Sequence, residues 1–325
     1  MAYSEFSLID EYFKNRTLIR EDVVLGIGDD AAVTAIPPGY ELVTAVDTLV
    51  NNVHFPKDTQ AFDIGYKSLA VNLSDMAAMG AEPVWATLAL TMPDVDKSWL
   101  QQFCNGFFSL AERHRVQLIG GDTTQGPLTI TVQVMGLVPQ GQALKRAGAK
   151  VGDRVFVSGQ LGDAALALQM LQHSTQLKVS DEQKAMLLNK LNRPQPRTEL
   201  GIALRGIASS VIDVSDGLAA DLGHILEVSN VGAVVDVDQL PVSDELIRSK
   251  ESREIETLAL AGGDDYELCF TVPFEKLPVI EQIKQQLKIN VTAIGQIEEQ
   301  QGLRVTCNGV SIDITQTGYR HFSQG

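Results

Sequence analysis

Aspartates recur at predicted strand ends and glycine turns, and these are the residues best suited to chemistry. Their carboxylate oxygens are hard ligands of the kind Mg²⁺ prefers, and the neighbouring glycines let a backbone approach a ligand closely. Because buried carboxylates without cations are costly, several of them are expected to converge on metal. The six segments are GIGDDA (Asp29, Asp30), TAVDT (Asp47), NLSDMAAMGA (Asp75), LIGGDTT (Asp122), IDVSDG (Asp213, Asp216) and AGGDDYEL (Asp264, Asp265).

Clustered carboxylates with metal indicate either a metallohydrolase or an enzyme that handles a polyphosphate as its magnesium complex. Hydrolases that use zinc or a transition-metal pair normally contribute histidines, and this chain has only five. Of these we place His54, in the TLVNNVHF loop, at a site. The balance favours a magnesium nucleotide.

The first aspartate segment also fits the G-x-G-x-x-A spacing of a dinucleotide site, with Asp47 lying 19 residues after Gly28. Such a site needs a helix directly after the glycine turn, because the helix N-terminus binds the pyrophosphate. Here Pro37 and Pro38 follow too soon, and two adjacent carboxylates would repel that anion. The dinucleotide interpretation is therefore rejected, and no P-loop spacing is present.

Length and composition limit the domain number, the partners and the cellular location that can be expected. The chain has 325 residues, which predicts two domains, and 26 basic against 41 acidic side chains give a net charge of −15, which argues against nucleic-acid partners. Three scattered cysteines without C-x-x-C spacing favour a reduced, cytoplasmic compartment. The acidic N-terminal segment does not resemble a signal peptide, and no apolar run is long enough to predict a membrane span.

Strands and helices are predicted to alternate and so to position these acids at strand ends, which is typical of an α/β or α+β protein in two lobes. We expect an N-terminal lobe over 1–140, a Gly-rich linker over 141–152 and a C-terminal lobe over 153–325. Predicted strands cover 28–36, 41–50, 84–92, 116–124, 128–138, 153–159, 209–217, 232–237, 266–272 and 290–297, with a hairpin near 303–314. Predicted helices cover 5–13, 61–79, 96–114, 218–230 and 274–288, with others before 208 and before 260.

Taken in order along nearly the whole chain, the acidic motifs resemble those of the thiamine-monophosphate kinase family. The segments that carry the resemblance are EFSLID, LGIGDDAAV, VDTLVNNVHF, YKSLAVNLSDMAAMGAEP, LIGGDTTQGP, LKRAGAKVGD, IDVSDGLAADLGHI and GGDDYELCF. That family is similar to aminoimidazole ribonucleotide synthetase, and the resemblance implies its two-lobed fold of mixed sheets flanked by helices. It also implies homodimers that associate through strands of the N-terminal lobes.

The resemblance implies that ATP phosphorylates thiamine monophosphate to thiamine diphosphate, with several Mg²⁺ ions. Because the acceptor is already an anion, no catalytic general base is expected. The Mg²⁺ ligands it implies are Asp30, Asp47, Asp75, Asp122, Asp213 and Asp216. The nucleotide would meet Gly121, Asp122, Arg146 and Ser215, and thiamine monophosphate would meet His54, Asp264 and Tyr319.

The chain departs from the family pattern at two places. Asp264 stands where members often have glutamate, so it is expected to reach the substrate only through water. Ala45 and Val46 stand where members tend to have hydroxyl residues, so metal contacts there would use backbone carbonyls. Two alternatives stay open from the residues: another ATP-dependent synthetase of the same superfamily, and a non-catalytic divalent-ion binder.

Overall fold

A computed structural model describes residues 5–172, 180–313 and 318–319. The chain divides into two compact units, one comprising Met1–Met76 with Ala81–Gly141 and the other Ala77–Gly80 with Gln142–Gly325. No helix of the described ranges is long and apolar enough to cross a membrane.

The first unit contains two long helices and a four-stranded sheet. The sheet order is β3-β6-β4-β5, with β3 and β4 antiparallel to β6, and β5 parallel to β4. Strands β3 and β5 therefore form the two edges of this sheet. The elements are α1 (Glu5–Leu8, continued by a π-helix Ile9–Lys14), β1 (Val23–Leu25), β2 (Val33–Thr34), β3 (Tyr40–Val50), α2 (Ala61–Ala78), β4 (Glu82–Met92), α3 (Lys97–Arg113), β5 (Gln117–Gln125) and β6 (Thr129–Pro139).

Helices α2 and α3 approach each other through glycines. A Cβ atom on Gly65 would lie 2.0 Å from the Phe103 carbonyl oxygen, and one on Gly106 would lie 1.9 Å from the Phe62 carbonyl oxygen. Neither position has room for a side chain, so the two backbones pack in direct contact. Helix α3 begins at Asp96, whose carboxylate accepts the amides of two first-turn residues.

The second unit contains a seven-stranded mixed sheet in the order β13-β12-β9-β11-β7-β10-β8. Strand β12 is parallel to β9, and the other pairs are antiparallel. The elements are β7 (Arg154–Ser158), α4 (Asp163–Leu171), α5 (Asp181–Asn192), α6 (Thr198–Ala203), β8 (Ser210–Val214), α7 (Leu218–Ser229), β9 (Gly232–Asp236), α8 (Asp244–Ser249), α9 (Ser252–Ala261), β10 (Glu267–Val272), α10 (Leu277–Leu287), β11 (Val291–Glu298), β12 (Gly302–Cys307) and β13 (Val310–Ile312).

Two apolar clusters cover the two faces of this sheet. One contains Leu222 and Ile225 of α7 with alternate residues of the strands, and the other contains Leu200 of α6 and Ile280 of α10. Strand β10 is buried along its whole length, and β7 is buried at every residue except Arg154, as expected for a sheet with helices on both sides. The predicted architecture of mixed sheets flanked by helices is confirmed.

Most predicted elements are confirmed with bounds shifted by a few residues, but the strand predicted over 28–36 is wrong. Only Val33–Thr34 is a strand there, pairing with Val23–Leu25, which was not predicted. Gly28 has a φ of 126°, in the region that favours glycine, so the chain turns where the strand was expected. The C-terminal hairpin is confirmed as β12 and β13, and residue 314 of that prediction lies outside the described residues.

Candidate active site

The first acidic segment forms a turn that presents one carboxylate to solvent. The Asp29 carboxylate accepts the amide of Asp30 at 2.9 Å, and the Asp30 side chain is exposed. Asp29 therefore braces the turn. The chain then enters β2 rather than a helix, which confirms that this segment is no dinucleotide fingerprint.

Asp47 and Asp75 belong to elements that share one face of the first sheet. Asp47 lies opposite Val132 in the β3–β6 register, on the same face as Gly136. A Cβ atom on Gly136 would lie 2.7 Å from the Met76 sulfur, so α2 covers this face. Asp75 is the neighbour of Met76 on that helix. The structure thus places Asp47 on the face of the first sheet that α2 covers, and Asp75 on α2 itself.

The loop after β3 holds His54 in one tautomer. Its Nδ1 accepts the amide of Val50 at 3.0 Å, and its own amide donates to the Val50 carbonyl at 3.0 Å. Because Nδ1 is an acceptor here, the neutral ring carries its proton on Nε2. His54 is half-buried, and it can offer a hydrogen-bond donor to a ligand.

Gly121 and Asp122 lie on the edge strand β5. A Cβ atom on Gly121 would lie 1.9 Å from the Leu88 carbonyl oxygen, so only glycine lets β5 pack this closely against β4. Asp122 follows, opposite Ala89 in the register, and its side chain is exposed. Asp122, the predicted nucleotide contact, is therefore an exposed carboxylate on a strand whose packing requires glycine at position 121.

In the second unit, main-chain hydrogen bonds gather predicted residues from three distant segments around the end of β8. The Ser215 carbonyl accepts the Asp264 amide at 2.9 Å, and the Asp216 carbonyl accepts the Tyr319 amide at 3.0 Å. A third bond, from the Tyr266 amide to Val214, holds the same loop at 2.8 Å. The residues expected to meet nucleotide, metal and substrate in this unit are thus brought together.

The loop that carries Asp264 is strained and partly fixed by its own side chains. Asp264 and Tyr266 have positive φ angles of 70° and 49°, which are unfavourable for residues other than glycine. The Tyr266 hydroxyl donates to an oxygen of Asp264 at 3.1 Å, which orients that carboxylate. Sequence reasoning missed Tyr266, although its position two residues after Asp264 was a signal.

Asp221, in the first turn of α7, is the second residue that sequence reasoning missed. Its Oδ2 accepts the amides of Ser215, Asp216 and Gly217 at 3.0, 3.1 and 3.2 Å. Burial, followed by the charges of Asp213 and Asp216, raises the pKa of Asp221 to about 7, although these amide bonds oppose the shift. Asp213 itself is buried. The end of β8 therefore gathers three carboxylates, of which those of Asp213 and Asp221 are buried.

Arg146 lies beside the edge strand β8. The carbonyl of the preceding residue, Lys145, accepts the amide of Val211 at 2.9 Å, which ties this part of the chain to β8. The Arg146 side chain is exposed. It is a cation beside the strand that carries Asp213.

A second group of acids lines a polar pocket of about 90 Å³ at the start of α4. We call it the α4 pocket; its charged lining consists of Asp163, Lys190, Arg193, Arg197, Asp265 and Glu267. Glu267 forms a bidentate pair with Arg197 at 2.6 and 2.5 Å and accepts the Ser158 hydroxyl at 2.5 Å. The Asp265 carboxylate accepts the amide of Gly162 at 3.0 Å, and burial raises its pKa well above the usual range.

The donor set at the end of β8 fits magnesium. In residues 5–172, 180–313 and 318–319, no group of three or more His, Cys, Asp or Glu side chains is arranged to hold a metal by itself. Mg²⁺ is bound in proteins through one or two carboxylates together with water and substrate phosphates. Asp213 and Asp216 supply such oxygens, and their negative charges beside Asp221 favour a cation there.

Two family models match the chain. That of the AIR synthase related protein N-terminal domain covers residues 28–138, and that of the C-terminal domain covers 150–308. A thiamine-monophosphate kinase of Salmonella typhimurium is 48% identical over 325 residues, or 99% of either chain. The chain belongs to the thiamine-monophosphate kinase family.

Solved structures of the thiamine-monophosphate kinase family have the same fold. The crystal structure of the kinase from Stenotrophomonas maltophilia K279a is 47% identical, with a TM-score of 0.86 over 96% of this chain and 99% of that one. AaThiL complexed with AMPPCP and TMP is 31% identical, with a TM-score of 0.77 over 98% and 97%. The resemblance deduced from the acidic motifs is confirmed.

Proposed function

We propose that this chain transfers the γ-phosphoryl group of ATP to the phosphate of thiamine monophosphate, giving ADP and thiamine diphosphate. The observation that carries the proposal is the full-length identity of 48% to a thiamine-monophosphate kinase. AaThiL, a relative of known structure, was solved with AMPPCP and TMP together. The gathering of Ser215, Asp216, Asp264 and Tyr319 around one strand end supports the same activity.

The reaction needs positioning rather than a general base. An oxygen of the thiamine monophosphate phosphate attacks the γ-phosphorus, and the bond to the β,γ-bridging oxygen breaks, so ADP leaves with that electron pair. Attacking and leaving groups are both anions, and bringing them into line is the main barrier. Mg²⁺, when bound, would neutralise the charge on the phosphates.

The proposed magnesium ligands are the carboxylates that resemble the family motifs. Their geometry supports the proposal in two places: Asp47 lies on the sheet face that is covered by α2, the helix of Asp75, and Asp213 and Asp216 lie beside Asp221 at the end of β8. The full proposed set is Asp30, Asp47, Asp75, Asp122, Asp213 and Asp216.

We assign the nucleotide to Gly121, Asp122, Arg146 and Ser215. The exposed Arg146 guanidinium is suited to a phosphate oxygen, because its planar donors match that geometry. We assign thiamine monophosphate to His54, Asp264 and Tyr319. The Tyr319 ring is 51% exposed and offers an aromatic face to the cationic thiazolium.

The sheet order of the first unit supports a homodimer with shared sites. Within one chain, β6 and β4 separate β3 from β5, so the strands of Asp47 and Asp122 lie about 14 Å apart at the usual strand spacing. Two carboxylates cannot hold one ion across that gap. Both strands are sheet edges, and β3 exposes apolar side chains, with Val46 at 60%. We propose that β3 of one copy meets β5 of a second.

Mixing two inactive variants tests this arrangement. Asp47→Asn and Asp122→Asn should each lose turnover while remaining folded, because each removes a metal ligand. In mixed dimers one site would combine two intact residues, so refolding the variants together should restore about a quarter of wild-type turnover. Continued inactivity of the mixture, with mixed dimers verified by mass spectrometry, would contradict the shared site.

The activity itself is tested by coupling ADP release to a spectroscopic assay with ATP and Mg²⁺. Thiamine monophosphate should support ADP release and free thiamine should not, because only the monophosphate offers a phosphate acceptor. ADP release with a formylglycinamidine nucleotide alone would instead indicate a ring synthetase. We further propose a cytoplasmic location, supported by free thiols at Cys104, Cys269 and Cys307.

A further inference from the structure

We propose that Asp221 is a positioning residue, which holds the turn of residues 215–217 in the shape that receives the magnesium nucleotide. The inference rests on the proposed function and adds a residue to it. Asp221 belongs to the motif IDVSDGLAADLGHI, in which only Asp213, Ser215 and Asp216 have been given roles above.

One carboxylate oxygen organises the whole turn. Three consecutive amides, those of Ser215, Asp216 and Gly217, point at Oδ2 of Asp221 within 3.2 Å. Such convergence of successive amides forms a concave anion site, and here the protein fills it with its own carboxylate. Gly217 has a φ of 119°, and a Cβ atom there would lie 2.9 Å from the Ala261 backbone, so the last residue of the turn has to be glycine.

The turn of residues 215–217 also connects the segments that carry the other proposed site residues of this unit. With its amides turned toward Asp221, the carbonyl of Ser215 accepts the Asp264 amide and the carbonyl of Asp216 accepts the Tyr319 amide. Loss of the brace would therefore displace the proposed nucleotide, metal and substrate residues together. A displacement of about 1 Å is enough to lower turnover 100-fold in such a site.

Asp221 acts as a brace rather than as a metal ligand. Its side chain is buried, with 3% of its surface exposed, and Oδ2 is already occupied by three donors. An ion bound to Oδ2 would have to displace those bonds. An asparagine can still present an oxygen to the amides, whereas an alanine cannot.

Asp163 is a matched control in the same unit. It also lies in the first turn of a helix, α4, after a glycine, and only 4% of its surface is exposed. Its carboxylate accepts the Ser243 hydroxyl at 2.5 Å and lies outside the proposed machinery. Substitutions of Asp163 therefore report the cost of losing a buried first-turn aspartate elsewhere.

The experiment compares Asp221→Ala, Asp221→Asn, Asp163→Ala and Asp163→Asn in the full chain. Calorimetry measures the affinity for ATP in the presence of Mg²⁺, and turnover is measured as a function of Mg²⁺ concentration. For Asp221→Ala we expect ATP affinity and kcat/KM to fall at least about 10-fold and the half-saturating Mg²⁺ concentration to rise, because the turn loses the carboxylate that accepts its three amides. For Asp221→Asn we expect recovery to within about threefold of wild type, and for both Asp163 variants no change beyond about twofold.

Three outcomes overturn the proposal. If Asp221→Ala kept the wild-type affinity for ATP and the wild-type half-saturating Mg²⁺ concentration, Asp221 would have no positioning role. If ATP affinity and turnover fell as far in Asp221→Asn as in Asp221→Ala, the negative charge itself would be required, which would indicate a ligand role rather than a bracing role. Equal losses in the Asp163 variants would make the effect one of general stability. The affinity measurement does not depend on thiamine phosphate, so wild type that binds ATP but makes no thiamine diphosphate would contradict the proposed function alone.

If Asp221→Ala does not fold, amide exchange decides the question. Asp221→Asn is nearly isosteric, but its neutral oxygen is a weaker acceptor than the carboxylate. We therefore expect the amides of residues 215–217 to exchange about 10-fold faster in Asp221→Asn than in wild type or Asp163→Asn. Unchanged protection would overturn the bracing role.

Discussion

Helices α4 and α7 begin in similar ways but in different electrostatic surroundings. Each follows a glycine, and each glycine amide is bound by a buried aspartate, Gly162 by Asp265 and Gly217 by Asp221. Around α4, protein cations stand beside the acids, as in the Arg197–Glu267 pair of the α4 pocket. Burial and neighbouring carboxylates raise the pKa of both Asp265 and Asp221, so the difference lies in the cations. No cation of the described residues is among the groups that shift the pKa of Asp221, whereas the acids beside Asp265 have Arg197 and Lys190 as neighbours.

The difference separates a structural cluster from a ligand site. A buried charge is costly unless a partner compensates it, and in the α4 pocket arginine and lysine belong to the fold itself. At the start of α7 the accumulated negative potential favours a cation from solution. We therefore expect substitutions in the first cluster to change stability and those in the second to change turnover.

The largest effect is expected for Asp216→Asn at the α7 end. Loss of a magnesium ligand should lower kcat about 1,000-fold, equivalent to about 4 kcal/mol of transition-state stabilisation. Because the substitution also removes a repulsive charge beside Asp221, the free energy of unfolding without Mg²⁺ should not fall. Steady-state kinetics and urea unfolding measure the two quantities. If the variant kept its turnover but lost stability, Asp216 would have a structural role like the acids of the α4 pocket, and the two helix starts would not differ as described.

The next effect is expected for Arg197→Met in the α4 pocket. It leaves Glu267 buried without its cation, which should lower the free energy of unfolding by about 3 kcal/mol. Urea unfolding measures the loss, and kcat of the folded variant should stay within about threefold of wild type. As a control, Arg197→Met combined with Glu267→Gln should be more stable than Arg197→Met alone. If the double variant is no more stable, the pair does not explain the loss.

The smallest effect is a pH dependence carried by Asp163. Burial raises the pKa of Asp163 above 3.8, while the Ser243 hydroxyl bond and Lys190 partly oppose the shift. Between the two pKa values the folded state keeps a proton on Asp163 that the unfolded state has released. The stability that this proton contributes is therefore complete below pH 3.8 and is lost as the pH rises through the folded pKa. The stability of wild type relative to Asp163→Asn should therefore decline as the pH rises above about 4. Urea unfolding between pH 4 and 8 measures it, and a rising difference would contradict the assignment.

Local pattern predicted much of this molecule because alternation and glycine turns are properties of short segments. The strands that carry Asp47, Asp122 and Asp213 were placed correctly, since each combines apolar residues with a polar end. The strand over 28–36 was wrong because apolar alternation there conceals the turn at Gly28.

Contacts between distant segments could not be predicted in the same way. The Ser215–Asp264 bond and the three amides on Asp221 depend on how β8, α7 and β10 pack, which no periodicity encodes. The contrast between the two helix starts is likewise tertiary, because Arg197 reaches Glu267 from 70 residues away. The acidic residues and the strands and helices that carry them could therefore be predicted from the sequence. Which of these acids lie beside a protein cation depends on packing and could not.

The central claim, direct transfer between two phosphates, is tested most directly by ³¹P NMR of the protein with ATP, Mg²⁺ and thiamine monophosphate. The account predicts that the β-phosphorus signal of thiamine diphosphate grows in step with ADP, without release of inorganic phosphate. Formation of ADP and inorganic phosphate with the thiamine monophosphate signal unchanged would contradict it.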